Sequence, residues 1–211
     1  MGLSTLTGHA PGIDWAAAAR PLPGQHNSGD AFVVVAEDDA TTLVAVIDGL
    51  GHGDEAAEAA ATAVATVQDC GGQPLEVVFG ACHRALASTR GAVASLARID
   101  ARTHTMSWAA VGDVDATVVR GPRTTSDRSR ETIVARGGVV GIELPPIYES
   151  TVSLEPQDLL VMTTDGIDAV YRHNLVTTGA LAAIADAILQ AHALERDDAL
   201  VLVARYHPGR P

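Results

Sequence analysis

Val44-Ala45-Val46-Ile47-Asp48-Gly49-Leu50-Gly51-His52-Gly53 begins as an apolar run and ends as a glycine-rich turn, with a carboxylate at the junction. Just upstream, Val33-Val34-Val35 forms a second apolar run, and the charged Glu37-Asp38-Asp39 lies between the two. This pattern predicts a β-hairpin whose second strand ends at Asp48. Downstream, His52 to about Gln68 is rich in Ala, with apolar residues at helical spacing. Glu55 and Glu58 fall in its first turns, where negative charge suits the helix dipole. Gly71-Gly72 stops that helix, and Pro74 opens another over about 74–89, with Val77, Val78, Ala81, Ala85 and Leu86 on one face.

Beyond Gly91 the pattern turns strand-like. Ala92 to Ile99, Thr105 to Val111 and Ala116 to Arg120 read as strands joined by short polar turns, and Gly121 to Arg130 as a polar loop. Thr132 to Ala135, Ile147 to Leu154 and Leu159 to Thr163 read as further strands, Thr178 to His192 as a helix, and Ala199 to Tyr206 as a last strand before a Pro/Gly tail. The first strand in this reading is at Val33, and Trp15 and Trp108 are expected to pack in a core or on a sheet. Strands and helices are segregated instead of alternating, which argues against a doubly wound parallel sheet. The expected class is α+β: two antiparallel sheets face to face, helices outside, residues 1–211 forming one domain.

The net charge of −12 excludes a broad basic face for nucleic acid and disfavours an anionic membrane surface. An acidic protein still holds a phosphate where metal ions supply local positive charge. Cys70 and Cys82 are too few for a disulfide framework and show no zinc spacing, so reduced thiols are expected. The first 19 residues carry neither Lys nor Arg nor a continuous apolar core, so no signal peptide is expected. No apolar run approaches the roughly 18 residues of a spanning helix. These features predict a cytoplasmic protein.

Several acidic residues recur at strand ends beside glycine: Ser28-Gly29-Asp30, Asp48-Gly49, Gly112-Asp113 and Thr164-Asp165-Gly166, with Asp197-Asp198 directly before the last strand. Asp-Gly is a common turn dipeptide, and each of these alone reads as a turn rather than as a ligand. Together they form a pattern, because a poorly solvated carboxylate beside others wants a cation. Oxygen donors without a Cys or His cluster favour Mg²⁺ or Mn²⁺ over zinc.

The stretch 48–53, following its apolar strand, resembles the Asp-Gly-(Leu/Met)-Gly-x-Gly motif of the SpoIIE-type phosphatases of the metal-dependent PPM (type 2C) family. Gly29-Asp30-Ala31-Phe32 is similar to that family's upstream Gly-Asp motif. Leu159 to Gly166 resembles its Thr-Asp-Gly strand, and Arg196 to Val203 its closing Asp-Asp strand, with Leu200 where Thr is usual. Arg90 to Ser95 and Val111 to Val114 look like the small RsbX branch. The motifs run in family order over nearly the whole chain.

The resemblance implies a four-layer αββα sandwich with two Mn²⁺ or Mg²⁺ ions. On it, Asp48 bridges both metals, Gly49 lends its carbonyl to the first, and Asp165 and Asp197 hold the second. Asp30 orients metal-bound water from outside, and Asp113 is a candidate ligand, with Asp165, of a third ion. Catalysis would run through metal-activated water held by Asp48, Asp165 and Asp197. His52 reads either as a general acid for the leaving oxygen or as a polar residue near a helix N-terminus. Leu50 stands where larger relatives place a histidine, and Arg20 is the nearest arginine in order to their phosphate-holding one. Asp115 and Asp168 read as solvated charges. The implied activity is dephosphorylation of serine or threonine on phosphorylated STAS-domain proteins of bacterial stress signalling. The competing reading is a catalytically silent, phosphatase-like binding module. A metal-dependent nuclease conflicts with the charge.

Overall fold

The computed structural model describes residues 4–121 and 130–209. Most of the predicted polar loop at 121–130, the first three residues and the end of the Pro/Gly tail lie outside the described residues.

Two antiparallel sheets face one another. The first is ordered β1 (Ser4–Ala10), β2 (Ile13–Arg20), β11 (Ala199–Tyr206), β10 (Leu159–Thr163), β7 (Asp115–Val119), β8 (Arg130–Thr132). The second is ordered β3 (Asp30–Ala36), β4 (Thr41–Gly49), β5 (Ala92–Asp100), β6 (Thr105–Val111), β9 (Ser150–Ser153). Helices α1 (Asp54–Asp69) and α2 (Leu75–Ala85) cover the outer face of the second sheet. Helix α3 (Leu181–His192), with a short 3-10 helix at Ala169–Asn174, covers the outer face of the first. The expected α+β, αββα architecture is the one found.

The unbroken apolar runs follow from this layering. A strand buried on both faces cannot alternate apolar with polar. In β4, Val44 and Val46 enter the core between the sheets, while Leu43, Ala45 and Ile47 pack under the helices. In β11, Leu200, Leu202 and Ala204 face the other sheet, and Ala199, Val201 and Val203 face the α3 layer. Trp108 is buried between the sheets, and Trp15 meets Phe32 edge to face at 5.5 Å. Cys82 lies in the α2 core and Cys70 at the end of α1.

The structure departs from the sequence reading chiefly ahead of Val33, where β1 and β2 form a hairpin that pairs with β11. Ala16-Ala17-Ala18-Ala19 disguises β2, because alanine is depleted in strands. Packing decides it: Ala16 and Ala18 lie in the α3 layer and Ala17 in the core between the sheets. The other differences are at boundaries. β8 lies at Arg130–Thr132, meeting the predicted 132–135 only at Thr132, β9 is shorter than the predicted 147–154, and α3 begins after the left-handed Gly179 (φ +104°) instead of at Thr178.

No helix among the described residues is long and apolar enough to cross a membrane.

Candidate active site

Antiparallel pairing brings strand ends together at one edge. Asp30 opens β3 and Asp48 closes β4, and the two are direct cross-strand partners. Asp113 lies in the turn from β6 to β7, Asp165 follows β10, and Asp197 precedes β11. Asp48, Asp113, Asp165 and Asp197 all line one cleft of about 580 Å³, with His52, Arg196 and the backbone of 137–139 on the same walls. Asp30 lies buried behind Asp48.

Close backbone contacts fix this edge, and they explain the glycines. A Cβ on Gly49 would stand 2.2 Å from the Ala56 carbonyl oxygen, so α1 seats directly on the end of β4. A Cβ on Gly166 would stand 1.7 Å from the Asp198 carbonyl oxygen, where the turn after β10 meets the start of β11. Gly49 N–H donates to the Gly29 carbonyl at 2.9 Å, joining the two motif loops.

Two buried side chains complete the frame. Thr164 Oγ1 donates to Asp30 Oδ2 at 2.7 Å and accepts from Leu200 N–H at 3.0 Å. Leu200 therefore joins this network through its backbone, while its side chain fills the core between the sheets. Asp198 accepts from Leu22 N–H at 2.7 Å and Gly29 N–H at 2.8 Å, holding the β2–β3 loop to β11. The doublet divides just before β11: Asp197 lines the cleft and Asp198 is buried.

The crowding shows in proton affinities. Burial, then repulsion by Asp30, Asp165, Asp113 and Asp197, pushes Asp48 far above the usual carboxylate range. Asp30 is raised by burial first and by Asp198, Asp165 and Asp197, against the lowering effect of the Thr164 hydrogen bond. Asp165 is raised by burial, Asp113 and Asp197, offset in part by a hydrogen bond with Asp48 and by Arg196. Among the described residues no three acidic, histidine or cysteine side chains are already gathered around a single point for a metal. The carboxylates line the cleft instead. The all-oxygen donor set with no compensating buried cation fits hard divalent cations such as Mg²⁺ or Mn²⁺.

Every residue expected at the site lies at this edge: Asp30, Asp48, Gly49, His52, Asp113, Asp165 and Asp197. Arg20 does not face the cleft. Its guanidinium donates to the carbonyls of Leu194 (2.6 Å), Pro21 (3.2 Å) and Asp197 (3.4 Å). Asp115, expected to be solvated, pairs with Arg172 at 2.7 Å and accepts from the Tyr171 hydroxyl. Asp168 caps the 3-10 helix by accepting from Val170 N–H. Sequence reasoning missed Thr164 and Asp198 as anchors and Arg196 as a lining residue. The first two carry a signal, since each adjoins a motif aspartate at the end of an apolar strand.

The family model described as Stage II sporulation protein E (SpoIIE) matches residues 38–207. The chain belongs to the SpoIIE family. It is similar to the phosphoserine phosphatase RsbX of Bacillus subtilis (strain 168), at 33% identity over 91 residues. That match spans 43% of this chain and 45% of RsbX, somewhat under half the length of the curated relative. A solved chain from work on the bacterial stressosome, described as a modular system adapted to control secondary messenger signalling, superposes with a TM-score of 0.84. It shares 29% identity and covers 92% of this chain and 99% of its own. RsbX in complex with magnesium gives a TM-score of 0.84 at 21% identity, covering 97% of this chain and 100% of its own, a likeness of fold.

Proposed function

We propose that residues 1–211 act as one domain that hydrolyses phosphoserine or phosphothreonine on regulatory proteins, with divalent cations bound at the cleft. The observation that carries this reading is the convergence of Asp48, Asp113, Asp165 and Asp197, from separate strand ends, on one cleft backed by Asp30. Like charges this close are tolerated only when protonated or shared with cations.

Asp48 and the Gly49 carbonyl would hold one ion, and Asp48, Asp165 and Asp197 the other, with Asp113 and Asp165 offering room for a third. Bound Mg²⁺ or Mn²⁺ supplies Lewis-acid activation of water and neutralises charge on the phosphoryl group. The chain's own contribution is placement. Thr164 and the β3–β4 pairing hold Asp30 beside Asp48, from where it would orient water in the cleft. His52, exposed on the cleft wall and next to the start of α1, would serve either as the acid for the departing serine or threonine oxygen or only as a polar residue at that helix end. No covalent intermediate is required, and Cys82, buried with its thiol pushed up to about 12 mainly by desolvation, is no nucleophile.

Phosphorylated STAS-domain proteins of a partner-switching pathway are the proposed substrates, a reading supported by the likeness to RsbX and to the stressosome chain. The test is phosphate release from a panel of such proteins with Mn²⁺ and with a chelator. Release that depends on Mn²⁺ and is abolished by Asp48→Asn is expected. Undiminished release under chelation would defeat the metal-dependent reading, and metal binding without release would favour the silent module.

A further inference from the structure

We propose that the Arg196 guanidinium captures and orients the phosphoryl oxygens of the substrate at the mouth of the cleft. This role rests on the phosphatase reading above. An approaching phosphate dianion meets carboxylates at the rim as well as cations bound within, so a protein cation at the mouth favours its entry. Arg196 is the only arginine lining the cleft among the described residues. It also lines an adjoining hollow of about 410 Å³ that shares Asp113 and Asp165, so it stands on the ridge between the two.

The neighbouring arginines are already engaged. Arg20 serves backbone carbonyls, Arg90 pairs with Glu55, and Arg172 pairs with Asp115. Arg196 is exposed and, among the described residues, makes no hydrogen bond or ion pair. It lies near enough to Asp165 to lower that carboxyl's proton affinity. Its backbone, by contrast, is held on both sides. Leu194 N–H donates to the Gly166 carbonyl at 2.8 Å, and Arg20 grips the carbonyls of Leu194 and Asp197. A guanidinium with no other partner among the described residues, on a turn whose backbone is held, is available for bidentate contact with phosphate, a geometry lysine cannot reproduce. Arg20, the nearest arginine in chain order to the one larger relatives use to hold phosphate, thus supports the turn that presents Arg196.

The experiment is steady-state hydrolysis of a phosphoserine peptide in Mn²⁺ by the unmodified chain, Arg196→Ala, Arg196→Lys and Arg84→Ala. Arg84, exposed on α2 and not among the cleft's lining residues, controls for the loss of one positive charge. Losing one charge-assisted pair should raise KM, and the inhibition constant of inorganic phosphate, by roughly tenfold to a hundredfold. The expected kcat stays within about threefold, the mark of an interaction made equally in ground and transition states. Arg196→Lys should recover part of the loss, Arg84→Ala should match the unmodified chain, and all should melt together. Unchanged KM and phosphate inhibition in Arg196→Ala, a fall in kcat alone, or an equal loss in Arg84→Ala would overturn the role. Absence of Mn²⁺-dependent turnover by the unmodified chain would instead remove the phosphatase reading beneath it.

Discussion

Asp30 and Asp48 face each other across β3 and β4, and both are raised by burial and by their acidic neighbours. The consequence for stability has a definite sign. A carboxyl whose folded pKa lies above its unfolded value binds more protons when folded, so its contribution is full below the ordinary carboxylate range of about 4 and falls as pH rises toward the raised value. The metal-free protein should therefore lose thermal stability from about pH 5 to pH 9. Asp48→Asn should flatten that slope and melt higher than the unmodified chain at alkaline pH in a chelator, while abolishing turnover. At about 2–4 °C per kcal/mol for a chain of this size, the difference is readable by calorimetry or dichroism. A melting point that rises with pH would contradict the repulsion argument. Thr164 offers a second residue-level check. Thr164→Val removes a donor to Asp30 and the acceptor for Leu200 N–H, both buried, and should cost about 1–3 kcal/mol in a denaturant titration.

At the scale of elements, the edge depends on how closely backbones approach. Gly166→Ala would press a methyl against the Asp198 carbonyl, and Gly49→Ala would press one against Ala56 on α1. Each should destabilise by about 1–3 kcal/mol or more and lower activity by displacing the adjoining aspartate, measurable as a shift in denaturation midpoint. Unchanged midpoints would mean that these elements are not seated as described. The same elements show what could be read in advance. The β4–α1 unit was legible because its strand is apolar on both faces, its turn is glycine-rich and its helix has regular spacing. The closing turn of β10 and the doublet before β11 were legible for the same reason. The β1–β2 hairpin was not: four consecutive alanines carry no strand signal, and only α3 packing on one side and the sheet core on the other explain them. The site residues were legible as types at strand ends. Their convergence was not, because it depends on pairing between segments as distant as Asp30 and Thr164.

For the whole molecule, the facing sheets and their covering helices hold a group of carboxylates whose repulsion the metal-free protein relieves largely by protonation. Divalent cations should therefore stabilise the fold as well as enable turnover. Binding at a hundredfold excess over the dissociation constant adds about 2.7 kcal/mol per site to stability. Mn²⁺ or Mg²⁺ should thus raise the melting point by several degrees at neutral pH, an effect that Asp48→Asn and Asp165→Asn should largely remove. A net charge of −12 works in the same direction, drawing cations to the surface while disfavouring polyanionic partners.

Calorimetric titration of Mn²⁺ into the unmodified chain, beside Asp48→Asn and Asp165→Asn, addresses the metal centre most directly. The unmodified chain should take up two or more ions, and each substitution should abolish or sharply weaken that uptake while leaving the fold intact. No uptake by the unmodified chain, or equal uptake by all three proteins, would show that the aspartates at this edge do not form a metal centre.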